Sequence, residues 1–137
     1  MSKSPSCERW LVYALGGGLG HLNRAVAFAR AAIRRYGSAG TASRPTLEIC
    51  LVTNSPYANV LPIADELGPG HPIIQLSPTL SRDQTATRIR SLLETTSFDT
   101  LFVDTFPRGL GGELADVIPQ LRCRRVLIHR NLNARYV

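Results

Sequence analysis

The chain has one lysine, three cysteines and no long apolar run, and each shortage narrows what it can be. Lys3 stands alone against fifteen arginines, and the net charge is +6. No stretch approaches the ~18–20 apolar residues of a membrane span. Cys7, Cys50 and Cys123 are widely spaced and fit no metal-ligand pattern, so reduced thiols in a cytosolic setting are expected. Residues 1–8 contain no apolar secretory segment and read as a flexible lead-in to a single domain over residues 9–137. The arginine surplus fits phosphate-bearing ligands or peripheral contact with an anionic membrane. Codon bias accounts for it equally well, because the arginines are scattered. No nucleic-acid motif accompanies them, so nucleic acid is not an expected partner.

What the chain does have is 44% apolar residues, enough for a sizeable core, laid out in an alternating pattern. Arg9–Leu15, Thr46–Thr53, His71–Leu76, Phe98–Phe106 and Arg125–His129 read as strands. Between them, helical spacing marks Leu22–Tyr36, a short helix from Asn54-Ser55-Pro56 to about Leu67, Ser81–Thr96 and Leu110–Ile118. Pro119 should end or kink the last of these. Five strands joined by four helical connections imply a parallel sheet with right-handed crossovers, a Rossmann-like three-layer α/β sandwich. Runs such as LVYAL and ICLV are apolar at every position, as strands covered on both faces are.

Four glycines crowd the turn Gly16-Gly17-Gly18-Leu19-Gly20, between the first strand and the first helix. In an open parallel sheet, ligands bind at the carboxyl ends of the strands, and this turn lies on that edge. Glycine lets a ligand approach the backbone, and the helix start offers free N–H groups to an anion such as a phosphate. The alternative is tight strand-to-helix packing with no ligand. A dinucleotide fingerprint fits poorly, because a G-x-G-x-x-G begun at Gly16 puts His21 where the third glycine belongs. The second strand also ends Val52-Thr53-Asn54, without the acidic residue that would hold a ribose.

His21 follows the turn at once and is expected to face the mouth of this edge, unless it only bonds its own helix start. Asp104 ends an otherwise apolar strand, where a carboxylate is costly to bury without a partner. It either caps the turn Thr105–Gly109 or accepts the Nδ1 proton of a nearby imidazole. First and fourth strands lie near the middle of such a sheet, so His21 and Asp104 can meet above it. A carboxylate-held imidazole is a general base. His71, in the turn before Pro72, and His129, at the last strand's end, are expected to be structural. Asn131 and Asn133 lie just past that strand and suggest no role.

The segments "GGGLGHLNRA" and "DTFPRGLGGEL" resemble the N-terminal, acceptor-side domain of GT-B glycosyltransferases, family 28 type. That type includes the enzyme adding N-acetylglucosamine to the lipid-linked peptidoglycan precursor. The likeness in strand order runs from Arg9 to about Arg130. It implies that Gly16, Gly17, Gly18, Leu19 and Gly20 face the acceptor, lipid-linked acceptors included. His21 would deprotonate the acceptor hydroxyl and Asp104 would orient His21, a pairing typical of the plant-type members of the fold. Arg24, Arg108 and Glu113 would line the cleft. The resemblance implies no bound metal and no cofactor. The nucleotide-sugar donor would be held by a second domain or a separate subunit, so this chain alone is expected to transfer no sugar. The alternatives are a non-catalytic nucleotide- or phosphate-binding module and an interaction subunit.

Overall fold

A computed structural model describes residues 7–16, 18–37 and 46–128. It shows a five-stranded sheet, parallel throughout, in the order β3-β2-β1-β4-β5. The strands are β1 (Glu8–Ala14), β2 (Leu47–Thr53), β3 (Ile73–Gln75), β4 (Thr100–Asp104) and β5 (Arg124–Ile128). The helices are α1 (Leu19–Ala32), α2 (Ile63–Leu67), α3 (Arg82–Thr95) and α4 (Leu114–Val117). The chain is therefore a Rossmann-like three-layer α/β domain, as its alternating pattern predicts. The strand order reverses between β1 and β4, and a crevice at the carboxyl ends of that pair is where such sheets hold their ligands.

Two apolar clusters fill the layers on either side of the sheet. Val12, Ala14, Ile49, Leu51 and Phe102 project toward α1 and α2, where Leu22, Ala25, Val26 and Ala29 meet them. Leu11, Tyr13, Cys50, Val52, Leu101 and Val103 project the other way, toward Ile89 and Leu93 of α3 and Leu114 of α4. Because side chains alternate along a strand, β1 is buried on both faces, which explains its unbroken apolar run. β5 is the exception. Its residues stay largely exposed, whereas every residue of β4 is buried.

Three expected helices change in outline. The first continues past Ala32 as a π turn, Ile33–Gly37. The second divides into a 3-10 turn, Pro56–Asn59, capped by Ser55, and the separate α2, because Pro62 has no N–H to carry a continuous helix. The fourth shrinks to one turn, α4, followed by a 3-10 turn Ile118–Gln120 containing Pro119. Residues 110–113 are loop instead. There Gly112 takes a positive φ of 82°, and the Glu113 side chain folds back to accept the Gly111 N–H at 2.8 Å. Helix α3 appears as expected, opened by a Ser81/Gln84 capping box. Gly17, residues 38–45, His129, Asn131 and Asn133 lie outside the described residues.

Candidate functional site

β1 pairs directly with β4, so the turn after Ala14 and the residue ending β4 share one rim. Asp104 lies in register with the α1-facing side chains of its strand, and α1 begins over the same spot. His21 Nδ1 is 2.9 Å from Asp104 Oδ2. Arg24, one turn further along α1, donates Nε–H to Oδ1 at 2.7 Å and Nη2–H to Oδ2 at 3.1 Å, a two-pronged grip on the carboxylate. Asp104 is fully buried, while His21 and Arg24 keep about a quarter of their side chains exposed, 25% and 27%. Burial alone would raise the Asp104 carboxyl. Hydrogen bonds from Arg24 and His21, with their charges, outweigh it and hold the group below its ordinary 3.8. The same carboxylate raises the Arg24 guanidinium. Asp104 is thus an ion-paired carboxylate and no mere turn cap.

A carboxylate below its usual pKa can only accept, so a 2.9 Å contact makes His21 Nδ1 the donor. In the neutral imidazole the proton-free position is then Nε2. Its hydrogen-bonding neighbours all gather at Nδ1, and Nε2 has no partner among the described residues. The Phe106 ring tilts against the imidazole, centroids 5.4 Å apart, and walls one side of it.

Gly16 shows what the glycine turn accommodates. Its φ is +148°, and a Cβ there would fall 2.9 Å from His21 Cδ2 and 3.2 Å from Cγ. The close approach expected of a ligand is therefore made, at this position, by the imidazole itself. Asn54 Oδ1 accepts the Gly16 N–H at 2.9 Å, which ties the turn to the end of β2. Gly18, Leu19 and Gly20 are exposed at the opening of α1, and a Cβ on Gly20 would meet nothing within 4 Å. Gly18 occupies the cap position with no side-chain cap, and no acidic residue stands in the first turn of α1 itself.

One expected cleft residue, Glu113, is placed otherwise. Glu113 is 2% exposed and lies with Tyr13 on the α3–α4 side of the sheet, the opposite face from Asp104. The Tyr13 hydroxyl donates to Glu113 Oε1 and accepts the Leu110 N–H at 2.8 Å. Burial and the Glu113 contact push the Tyr13 hydroxyl pKa up, so it stays a donor. Glu113 is the anchor of the loop 105–113 and does not line the cleft. Arg108 is exposed in that loop, and its side chain makes no hydrogen bond or ion pair with His21, Asp104 or Arg24 among the described residues.

Thr105 and Phe106 are the site residues that sequence reasoning missed. Thr105 has φ +69°, and the Phe106 N–H bonds back to the Asp104 carbonyl at 2.8 Å. That is a γ-turn of the rare, strained hand, and a β-branched residue is a poor occupant for it. The one available signal was its place directly after a strand-ending aspartate. His71 is structural as expected: its Nδ1 accepts the Ile49 N–H at 3.0 Å, and burial lowers its pKa. An aromatic-walled cavity of about 340 Å³, lined by Trp10, Tyr36, Phe102 and Val126 among others, lies at the amino ends of the strands, the opposite pole from His21. No group of His, Cys, Asp or Glu side chains that could hold a metal occurs among the described residues. Nor is any of their helices long and apolar enough to cross a membrane.

No family model and no curated protein matches the chain. Among solved structures, the C-terminal domain of a hydrogenase from Pyrococcus furiosus is similar, with a TM-score of 0.54 and 12% identity over 93% of this chain and 96% of that one. At such low identity the likeness concerns the α/β fold alone.

Proposed function

We propose that this chain is the acceptor-side domain of a nucleotide-sugar-dependent glycosyltransferase of the GT-B type, with His21 as its general base. The observation that carries the proposal is the 2.9 Å contact from His21 Nδ1 to the buried, Arg24-paired Asp104, which leaves Nε2 as the proton acceptor. An acceptor hydroxyl seated beside the Gly18–Gly20 opening would give its proton to Nε2 as its oxygen attacks the anomeric carbon. The bond from that carbon to the nucleoside diphosphate breaks with the electron pair leaving on phosphate. Asp104 offsets the imidazolium that forms. The donor is assigned to a second domain or subunit, and the chain alone is proposed to be inactive.

Supporting the reading are the position of the dyad at the β1/β4 switch point and the uncapped start of α1. The resemblance of the two quoted segments supplies the reaction class. In the complete enzyme, His21→Ala should lower kcat by about 10²–10⁴-fold, the usual share of a positioned base, with the fold intact by circular dichroism. Near-normal turnover would overturn the base assignment. Calorimetric titration of the 137-residue chain with nucleoside diphosphates tests the rest. Tight binding would favour a phosphate-binding module, because the proposal puts the nucleotide elsewhere.

A further inference from the structure

The His21–Asp104 contact leaves open how Arg24 avoids competing for the same nitrogen. Arg24 Nη2 lies 3.3 Å from His21 Nδ1, close enough to donate to it if that nitrogen were bare. Such a bond would stabilise the other tautomer, with the proton on Nε2, and an imidazole in that form cannot accept a proton at its exposed position. Nη2 carries two hydrogens. One goes to Asp104 Oδ2 at 3.1 Å, and the other to Thr105 Oγ1 at 2.8 Å. The Thr105 hydroxyl in turn donates its own proton to Asp104 Oδ2 at 3.2 Å, so it too turns a lone pair toward Arg24 and no proton toward His21.

We infer that Thr105 is a positioning residue that sets the tautomer of His21. Its oxygen occupies the second Nη2 hydrogen and keeps Arg24 from donating to Nδ1, which leaves the Nδ1 proton to Asp104 Oδ2 at 2.9 Å, with the Thr105 oxygen a longer contact at 3.4 Å. The backbone supports this assignment independently. Thr105 is the one non-glycine residue at positive φ among the described residues, whereas the same loop puts glycine at its other two such positions, Gly109 and Gly112. Glycine would suit the γ-turn better and could not supply the hydroxyl. Strain kept at one residue beside a cluster of charged groups points to a side chain that the cluster requires.

The inference rests on the base reading only for its catalytic consequence. Its test is made on the chain itself, by long-range ¹H–¹⁵N correlation spectra of the imidazoles, with His21 assigned through His21→Gln. Wild type and Thr105→Ser should show His21 with its proton on Nδ1. Thr105→Val, near-isosteric but without the hydroxyl, should raise the fraction protonated on Nε2 about fivefold, the shift one ordinary hydrogen bond is worth. Thr105→Gly should do the same while melting no lower than Thr105→Val, since it relieves the turn. If the Nδ1 form persists unchanged in both variants, Thr105 does not set the tautomer, and the base assignment stands. If the tautomer moves as expected but His21→Ala leaves transfer intact in the complete enzyme, the base assignment fails and the role of Thr105 stands.

Discussion

The imidazole of His21 lies flat against Gly16, so near that one added methyl carbon would sit 2.9 Å from its Cδ2. A strand-to-helix turn that looks built for a ligand is, at its first residue, built for the side chain five positions on. The glycine and the histidine form one device: the missing Cβ lets the ring lean back over the turn and reach Asp104.

Gly16→Ala should therefore damage the site first. At φ +148° with a ring in the way, alanine strains the turn and pushes the imidazole off Asp104. The expected cost is about 2 kcal/mol of stability. The Nδ1 proton of His21, if detected downfield in the wild type, should broaden or vanish, and Gly20→Ala should leave both measurements unchanged.

Asp104→Asn tests the electrostatics. Whichever way the amide turns, its NH2 faces a donor, either the Nδ1 proton of His21 or the guanidinium of Arg24. Unfolding in urea should show a loss of about 2 kcal/mol, the cost of leaving a buried partner unmatched. Under the proposed transferase function, kcat of the complete enzyme should fall much as for His21→Ala, because the amide favours the wrong tautomer.

Acid should weaken the fold in two separate windows. His71 has a lowered pKa in the folded state, so the unfolded chain binds protons first, and its contribution is lost as pH falls below 6.5 toward the folded value. Asp104 is also depressed, so its contribution survives until pH falls below 3.8 and goes as the folded carboxyl titrates. Melting temperature measured against pH should show His71→Ala without the upper step and Asp104→Asn without the lower one.

On the other face of the sheet, the loop 105–113 should respond to its anchor. Tyr13→Phe strands the Leu110 N–H and one Glu113 oxygen, and should cost about 2 kcal/mol. Gly109→Ala should cost more than Gly111→Ala. The first combines φ +86° with a Cβ 2.7 Å from the buried Glu113 carboxyl, while the second meets chiefly the flexible stem of Arg82. Equal melting temperatures for the two alanine variants would contradict this packing.

The class of fold was legible because burial on both faces writes itself into β1, β2 and β4 as unbroken apolar runs. The apolar stripe of α1 was equally plain, with Leu22, Ala25, Val26 and Ala29 all buried as their spacing requires. His21 and Asp104 were legible for a different reason: polar groups at the carboxyl ends of adjacent strands have few places to go. The helix expected over 110–118 was not, since its apolar residues at helical spacing also suit a loop that a buried Glu113 pins from beneath. Side-chain alternation put Tyr13, and with it the Glu113 that it holds, on the face opposite Asp104, a fact that depends on Tyr13 and Val103 pairing in register.

By itself the sequence determined the parallel α/β architecture, the placing of a histidine and an aspartate on one rim, and the need for glycine beside them. These follow from periodicity and from the cost of burying charge, which act locally. Only the tertiary structure decided that Gly16 yields its space to an imidazole, that Arg24 clamps Asp104 from a second prong, and that Thr105 stands in a turn glycine would prefer. The first rests on the φ of Gly16, the second on side chains 80 residues apart and the third on the φ of Thr105, and none of these leaves a mark in the order of residue types.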